Sequence, residues 1–173
     1  MATISLQSAI DSLAPYIPVV ESQTATSYNE IYNENCHRIY SLAFWMTDNE
    51  LTAEQLSANT FLRAFAAQNQ PTQEHIDRAF LAEVRELFAV GSLTLNCPVS
   101  AEIQSIHGNI KRIHLERAVV QLPATEKMVF LMHDVEGYEH GRIAHLLGIS
   151  EEESKLGLHQ ARVQIRELIA RMS

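Results

Sequence analysis

At 173 residues, with 46% apolar and 20% charged side chains, the chain has the composition of a folded protein of one ordinary domain or two small ones, which excludes intrinsic disorder as its organising principle. It carries 13 Lys and Arg against 21 Asp and Glu, a formal charge of −8, and therefore has no basic body that would hold nucleic acid through counterion release alone. Residues 1–114 hold 6 basic against 12 acidic side chains and residues 115–173 hold 7 against 9, so any contact with a polyanion must rest on a local patch or on a larger complex.

Residues 1–27 form a mixed N-terminal extension, in which Pro15 and Pro18 interrupt any helix begun near Ile4 to Leu13. The first basic side chain is Arg38, which argues against a secretory leader, and no run reaches the roughly 18–20 apolar residues of a membrane helix. From Tyr28 to Thr47 the apolar positions Ile31, Ile39, Leu42, Ala43 and Met46 recur at helical spacing. Asp48-Asn49 marks a turn. A second helix is expected over Thr52 to Ala67, with Leu56, Phe61, Leu62 and Phe65, and a third from Gln73 to Val90 after the break at Pro71. No strand pattern of alternating polarity occurs, so the expectation is an all-α protein. Trp45, Tyr28, Tyr32 and Tyr40 read as core and helix-contact aromatics. Cys36 reads as a buried thiol, and with Cys97 it fits no metal or redox spacing, in keeping with a reduced, cytoplasmic protein.

Residues 91–112 are poor in charge and contain Gly91, Pro98 and several Ser and Asn, the composition of an interdomain linker. A second helical unit follows over residues 113–173. Within it, a helix ends before Pro123, another spans Ala124 to His133, and Tyr138 to Leu147 forms a third that Gly148 stops. Ile149 and Ser150 then lead into a last helix from Glu151. Ile143, Ala144, Leu147, Gly148 and Ile149 give the apolar contact, the small crossing residue and the glycine turn of a helix-turn-helix. In the DNA-binding form of that motif the second helix enters the major groove with its N-terminal residues first. Here those residues are Glu151, Glu152 and Glu153. Ser150 with Glu153 makes a capping box, and acids in a first turn favour the helix dipole, yet they still repel phosphate. His133, Glu136, His140 and His145 lack the spacing of a metal site, and no Gly-rich phosphate loop, nucleophile-base grouping or catalytic carboxylate pair is present. The chain reads as neither enzyme nor cofactor protein.

Over residues 28–170 the order of these parts resembles the extracytoplasmic-function branch of the sigma-70 family. The segment LPATEKMVFLMHDVEGYEHGRIAHLLGIS carries that family's Leu-Pro, Asp-x-Glu-Gly and Ile-Ala-x-x-Leu-Gly-Ile-Ser at Leu122-Pro123, Asp134 to Gly137 and Ile143 to Ser150. IYNENCHRIYSLAFWMTDNELTAEQLSANTFLRAFA is similar to the first two helices of the family's region 2, with Ala53-Glu54, Leu56 and Thr60 to Phe65 in place. The resemblance implies two small helical bundles, a region 2 over residues 28–90 and a region 4 over residues 113–173. It implies a role in transcription initiation with core RNA polymerase, promoter DNA and an anti-sigma factor as partners, and no membrane association.

By the same resemblance, Glu54, Leu56, Phe61, Arg63 and Phe65 would meet the polymerase. Arg78, Phe80 and Arg85 would meet the −10 element, and Ser150, Lys155, His159 and Arg162 would read the −35 element. Several positions depart from the family. Glu83 and Glu86 stand where arginine is usual, and Thr52, Gln55, Ala58 and Asn59 stand where the clamp-facing acids are usual. The family's Val-Lys-Ser-Arg-Leu-His becomes Ser154-Lys155-Leu156-Gly157-Leu158-His159, and Leu156 suits a protein partner better than DNA. Two functions therefore stand side by side: a working sigma factor, and a sigma-like decoy that binds an anti-sigma factor or polymerase without productive promoter binding.

Overall fold

The computed structural model describes residues 20–96 and 112–172, with side chains from residue 27 onward. The expectations for residues 1–19 and for residues 97–111, Cys97 among them, lie outside the described residues. The described residues are helical with no strand, in two clusters.

The first cluster holds α1 (Val20–Thr47), α2 (Glu50–Ala67) and α3 (Gln73–Leu87). α1 starts eight residues before the expected Tyr28, two residues after Pro18. Asp48, at φ 50°, turns the chain, and the Asn49 side chain caps α2 by accepting from Thr52 N at 2.9 Å. Thr72 caps α3 reciprocally with His75, whose Nδ1 accepts from Thr72 N at 3.1 Å. Ile39, Leu42, Ala43 and Met46 from α1 bury against Leu56, Phe61 and Ala64 from α2, while Ile76, Phe80, Leu81 and Val84 from α3 complete the core. Tyr28 and Tyr32 make the expected helix contacts, with ring centroids 4.3 Å from Phe65 and 4.8 Å from Phe61.

α3 ends at Leu87, three residues earlier than its apolar pattern suggests. Phe88 is extended, and Val90 packs against the core from outside the helix, so apolar residues taken for a last helical turn serve tertiary packing. Cys36 is half-buried, more accessible than expected, and its thiol donates to Asn33 O at 3.6 Å.

The second cluster holds α4 (Arg112–Val120), α5 (Ala124–Phe130), a π-helical turn (Leu131–Val135), α6 (His140–Leu147) and α7 (Glu151–Met172). The widened turn bonds Glu136 N to Leu131 O at 3.0 Å and Tyr138 N to Met132 O at 2.8 Å, and Gly137 leaves it at φ 72°. Gly148 stops α6 at φ 71°, where a β-carbon is strained, and both Gly148 N and Ile149 N donate to Ala144 O. The expected capping box forms on α7: Glu153 N donates to Ser150 Oγ at 3.1 Å, and Ser150 N donates to Glu153 Oε2 at 2.7 Å. α7 buries Leu158, Ala161, Ile165, Leu168 and Ile169 against α4, α5 and α6. The clusters also touch each other, α3 against α6 and α1 against α4 and α5.

Candidate nucleic-acid interface

Each cation of the helix-turn-helix that the sequence singled out is held by an acid. Lys155 Nζ lies 2.7 Å from Glu151 Oε1, one turn earlier on α7. The hydrogen bond and charge of Glu151 raise the Lys155 pKa, and the same contact lowers that of Glu151. Arg162 grips Asp134 with two bonds, Nε at 3.0 Å and NH2 at 2.7 Å, across to the π-helical turn. Burial works against the Asp134 carboxylate, but the Arg162 and His133 contacts outweigh it and hold its pKa below the ordinary value. His159 is half-buried, and its Nε2 has no hydrogen-bond partner among the described residues. Gly157 is buried rather than groove-facing, and a Cβ there would meet Leu93.

On α3 the picture is similar. Phe80 is 1% exposed, packed inside the core, and has no free ring face for a base. Arg78 NH2 donates to Glu74 Oε1 at 2.6 Å and lies 2.9 Å from His145 Nε2 of α6. Arg85 NH2 donates to the carbonyls of Leu146 and Leu147 at 3.2 Å each, capping the C-terminal end of α6. Glu83 and Glu86 lie on a different side of α3, lining a cleft with Thr52, Gln55 and Asn59 of α2, and Glu83 pairs with Arg63. Of the residues expected to meet polymerase, Leu56 and Phe61 are core, Phe65 is partly buried against Tyr28, and Glu54 and Arg63 reach the surface.

Between the clusters lies a polar junction that sequence reading missed. Asp77, 3% exposed, accepts from Arg38 NH1 of α1 at 2.7 Å, from the Tyr138 hydroxyl at 2.7 Å and from Arg142 NH2 of α6 at 2.8 Å. Gln73 Nε2 and Arg38 NH1 each donate to the same hydroxyl at 3.0 Å, and the Arg142 guanidinium sits 3.9 Å over the Tyr138 ring. Burial, with the Asp77 hydrogen bond and charge, pushes the Tyr138 pKa up to about 12. Burial also raises the pKa of Glu136, outweighing the nearby Arg38. The signal available in the sequence was Asp77 itself, which falls on the apolar stripe of Leu81 and Val84 at i+4 and i+7.

A second missed residue is Glu126 of α5, which is fully buried. Its Oε1 accepts from Thr94 N at 2.6 Å and Leu95 N at 2.7 Å, while Gly91 N donates to Thr125 Oγ1 at 3.2 Å. Residues 91–95, expected to begin a free linker, are thus strapped onto the second cluster. The four residues His133, Glu136, His140 and His145 do not converge on a point. His133 stacks on His140 at 4.6 Å, Glu136 faces Arg38, and His145 faces Arg78.

The motif and its supporting helices define a helix-turn-helix of the sigma type: residues 112–165 match the family model of Sigma-70, region 4. That match covers the second cluster alone, under a third of the chain. The chain is 27% identical over 162 residues to the ECF RNA polymerase sigma factor SigE of Mycolicibacterium smegmatis (strain ATCC 700084 / mc(2)155), covering 85% of this chain and 63% of that relative. It thus spans less than two thirds of the length of the curated relative. In fold it is similar to the sigma factor RpoE of Bartonella quintana, solved in complex with the anti-sigma factor NepR. The TM-score is 0.59 at 14% identity, over 83% of this chain and 96% of that one. No described helix is long and apolar enough to cross a membrane.

Proposed function

We propose that the protein is a promoter-specificity subunit: a cytoplasmic sigma factor that joins core RNA polymerase and directs it to a promoter set, with region 2 over residues 28–90, a connecting segment over 91–112 and region 4 over 113–173. The observation that carries this reading is the helix-turn-helix of α6 and α7, with its αL glycine and capping box, inside a span that matches region 4. In this reading Lys155, His159, Arg162 and Ser150 face the −35 element, Arg78 and Arg85 face the −10 strand, and Glu54 and Arg63 face polymerase. Phe80 acts by holding α3 in shape. Polymerase supplies most of the positive surface, so a chain of charge −8 need not hold DNA alone.

Purified protein and core polymerase, assayed by run-off transcription on the promoter upstream of its own gene, test this. A core complex that yields no promoter-dependent transcript would sink it. The pairing of Lys155 with Glu151 and of Arg162 with Asp134 favours a second reading, a decoy that binds an anti-sigma factor or polymerase while its cations stay engaged within the chain. That reading requires a core or anti-sigma complex together with that missing transcript.

A further inference from the structure

Two histidines meet beside the first turns of α7. His133 of the π-helical turn and His140, the first residue of α6, stack with ring centroids 4.6 Å apart and planes 23° from parallel. One nitrogen of each ring is engaged. His133 Nδ1 lies 2.8 Å from Asp134 Oδ1, and His140 Nδ1 lies 3.0 Å from the hydroxyl of the buried Ser154 on α7. Neither Nε2 has a hydrogen-bond partner among the described residues. The charged groups facing the pair are the carboxylates of Asp134, Glu139 and Glu151 and the cations of Lys155 and Arg162. Glu152 acts on Lys155 but not on the rings. With both rings neutral, acids outnumber cations around the pair; with both protonated, the balance is positive. Like charges this close oppose each other, so the free protein resists the second proton. Burial, then His133 and Lys155, hold the His140 pKa below its ordinary value.

A helix-turn-helix lays its first helix across the DNA backbone and enters the groove with the second, N-terminal residues first. His140 heads that first helix and is bonded to the second turn of the other, so the pair stands where the two helices would meet a phosphate. We propose that His133 and His140 form a proton-dependent contact for the phosphate backbone of duplex DNA, in which the phosphate supplies the negative charge that lets the pair carry its second proton. The contact rests on the assignment of α7 to DNA. A proton is taken up as the complex forms, so affinity rises as pH falls. The acids of the first turn of α7 repel a phosphate until that proton arrives.

Anisotropy titrations of the full chain with a rhodamine-labelled mixed-sequence duplex, at low ionic strength and from about pH 8 to about pH 6, span the range in which histidine titrates. Affinity of the parent should rise by about ten-fold, the gain when binding raises one histidine pKa by one unit. His140→Gln and His133→Gln should each flatten the rise, while His37→Gln, at an exposed position of α1, should keep it. His140→Lys should bind near pH 8 about as tightly as the parent does near pH 6, a rescue that a merely structural role would not give. A parent whose affinity does not change with pH would overturn the contact. A rise that both glutamine variants retain would overturn it as well, because the proton would then be bound elsewhere. Absence of duplex binding throughout the range does the same. Run-off transcription with core polymerase reads the promoter assignment separately: a rise that depends on the two histidines keeps the contact even where no promoter-dependent transcript appears, and a transcript without that rise removes the contact and keeps the promoter reading.

Discussion

Leu93 fills the space that a side chain at position 157 would need: a Cβ built on Gly157 would stand 2.8 Å from Leu93 Cδ2. The glycine lets the strap lie flat on α7, and the helix gives up about 1 kcal/mol relative to alanine for it. The obstructing atom is the free end of a leucine, which can rotate away. Gly157→Ala is therefore expected to be close to neutral, within about 1 kcal/mol. In a Leu93→Ala background the same substitution should gain the full helix-propensity benefit of about 1 kcal/mol. Denaturant unfolding of the four proteins measures the coupling. Equal effects in the two backgrounds would mean that Leu93 does not rest on Gly157.

Glu126 holds the other end of the strap. Glu126→Ala deprives the Thr94 and Leu95 amides of a charged acceptor and should cost about 2–4 kcal/mol. Glu126→Gln keeps a carbonyl oxygen where Oε1 accepts both bonds, and its cost should be nearer 1 kcal/mol. Hydrogen exchange at the Thr94 and Leu95 amides locates the effect: both should exchange faster in the alanine variant. Unaltered protection there would remove Glu126 from the account of the strap.

These two contacts also show where sequence reading reaches its limit. The apolar stripes of α1 to α3, the αL stop at Gly148 and the Ser150–Glu153 box are set by residues within a few positions of one another, so periodicity and capping rules recover them. α3 was drawn too long because Phe88 and Val90 continue an apolar pattern while packing from extended backbone, a choice made by the second cluster. Glu83 looked like a charge reversal on a DNA face, but its contact with Arg63 joins positions 20 residues apart. The Arg38, Asp77 and Tyr138 junction joins positions up to 100 apart. Asp77 alone left a trace, as a charged residue on a buried stripe.

The Tyr138 hydroxyl should make the packing of the two clusters sensitive to alkali. Its pKa is raised from 10.0 to about 12, so its contribution to stability is fully present below pH 10 and is lost as pH rises through about 12. In that interval the unfolded chain ionises its tyrosine while the folded one resists. Tyrosinate absorbance should therefore show a component titrating near 12 in the parent that is lost in Tyr138→Phe. Unfolding free energy should also fall less steeply across this range in the variant. A parent without a component near 12 would contradict the buried placement of this hydroxyl.

The Arg162–Asp134 pair decides whether the recognition helix can offer its C-terminal cation to DNA. Asp134 has a lowered pKa, so the pair stabilises the fold above the ordinary carboxylate value of 3.8 and the contribution is lost as pH falls through the lower folded value. Both side chains are partly exposed, and the pair is worth at most about 1 kcal/mol to stability. Asp134→Ala should accordingly leave the fold intact while freeing the guanidinium. If Arg162 contacts the −35 element, the freed side chain should tighten binding to a promoter duplex and steepen the dependence of log K on log salt by about one unit, the signature of one further phosphate contact. Anisotropy titrations over a salt series measure both quantities. Adding Arg162→Ala to Asp134→Ala should then abolish the gain. A gain that survives in the double variant would come from the lost negative charge alone and would take Arg162 out of the DNA interface.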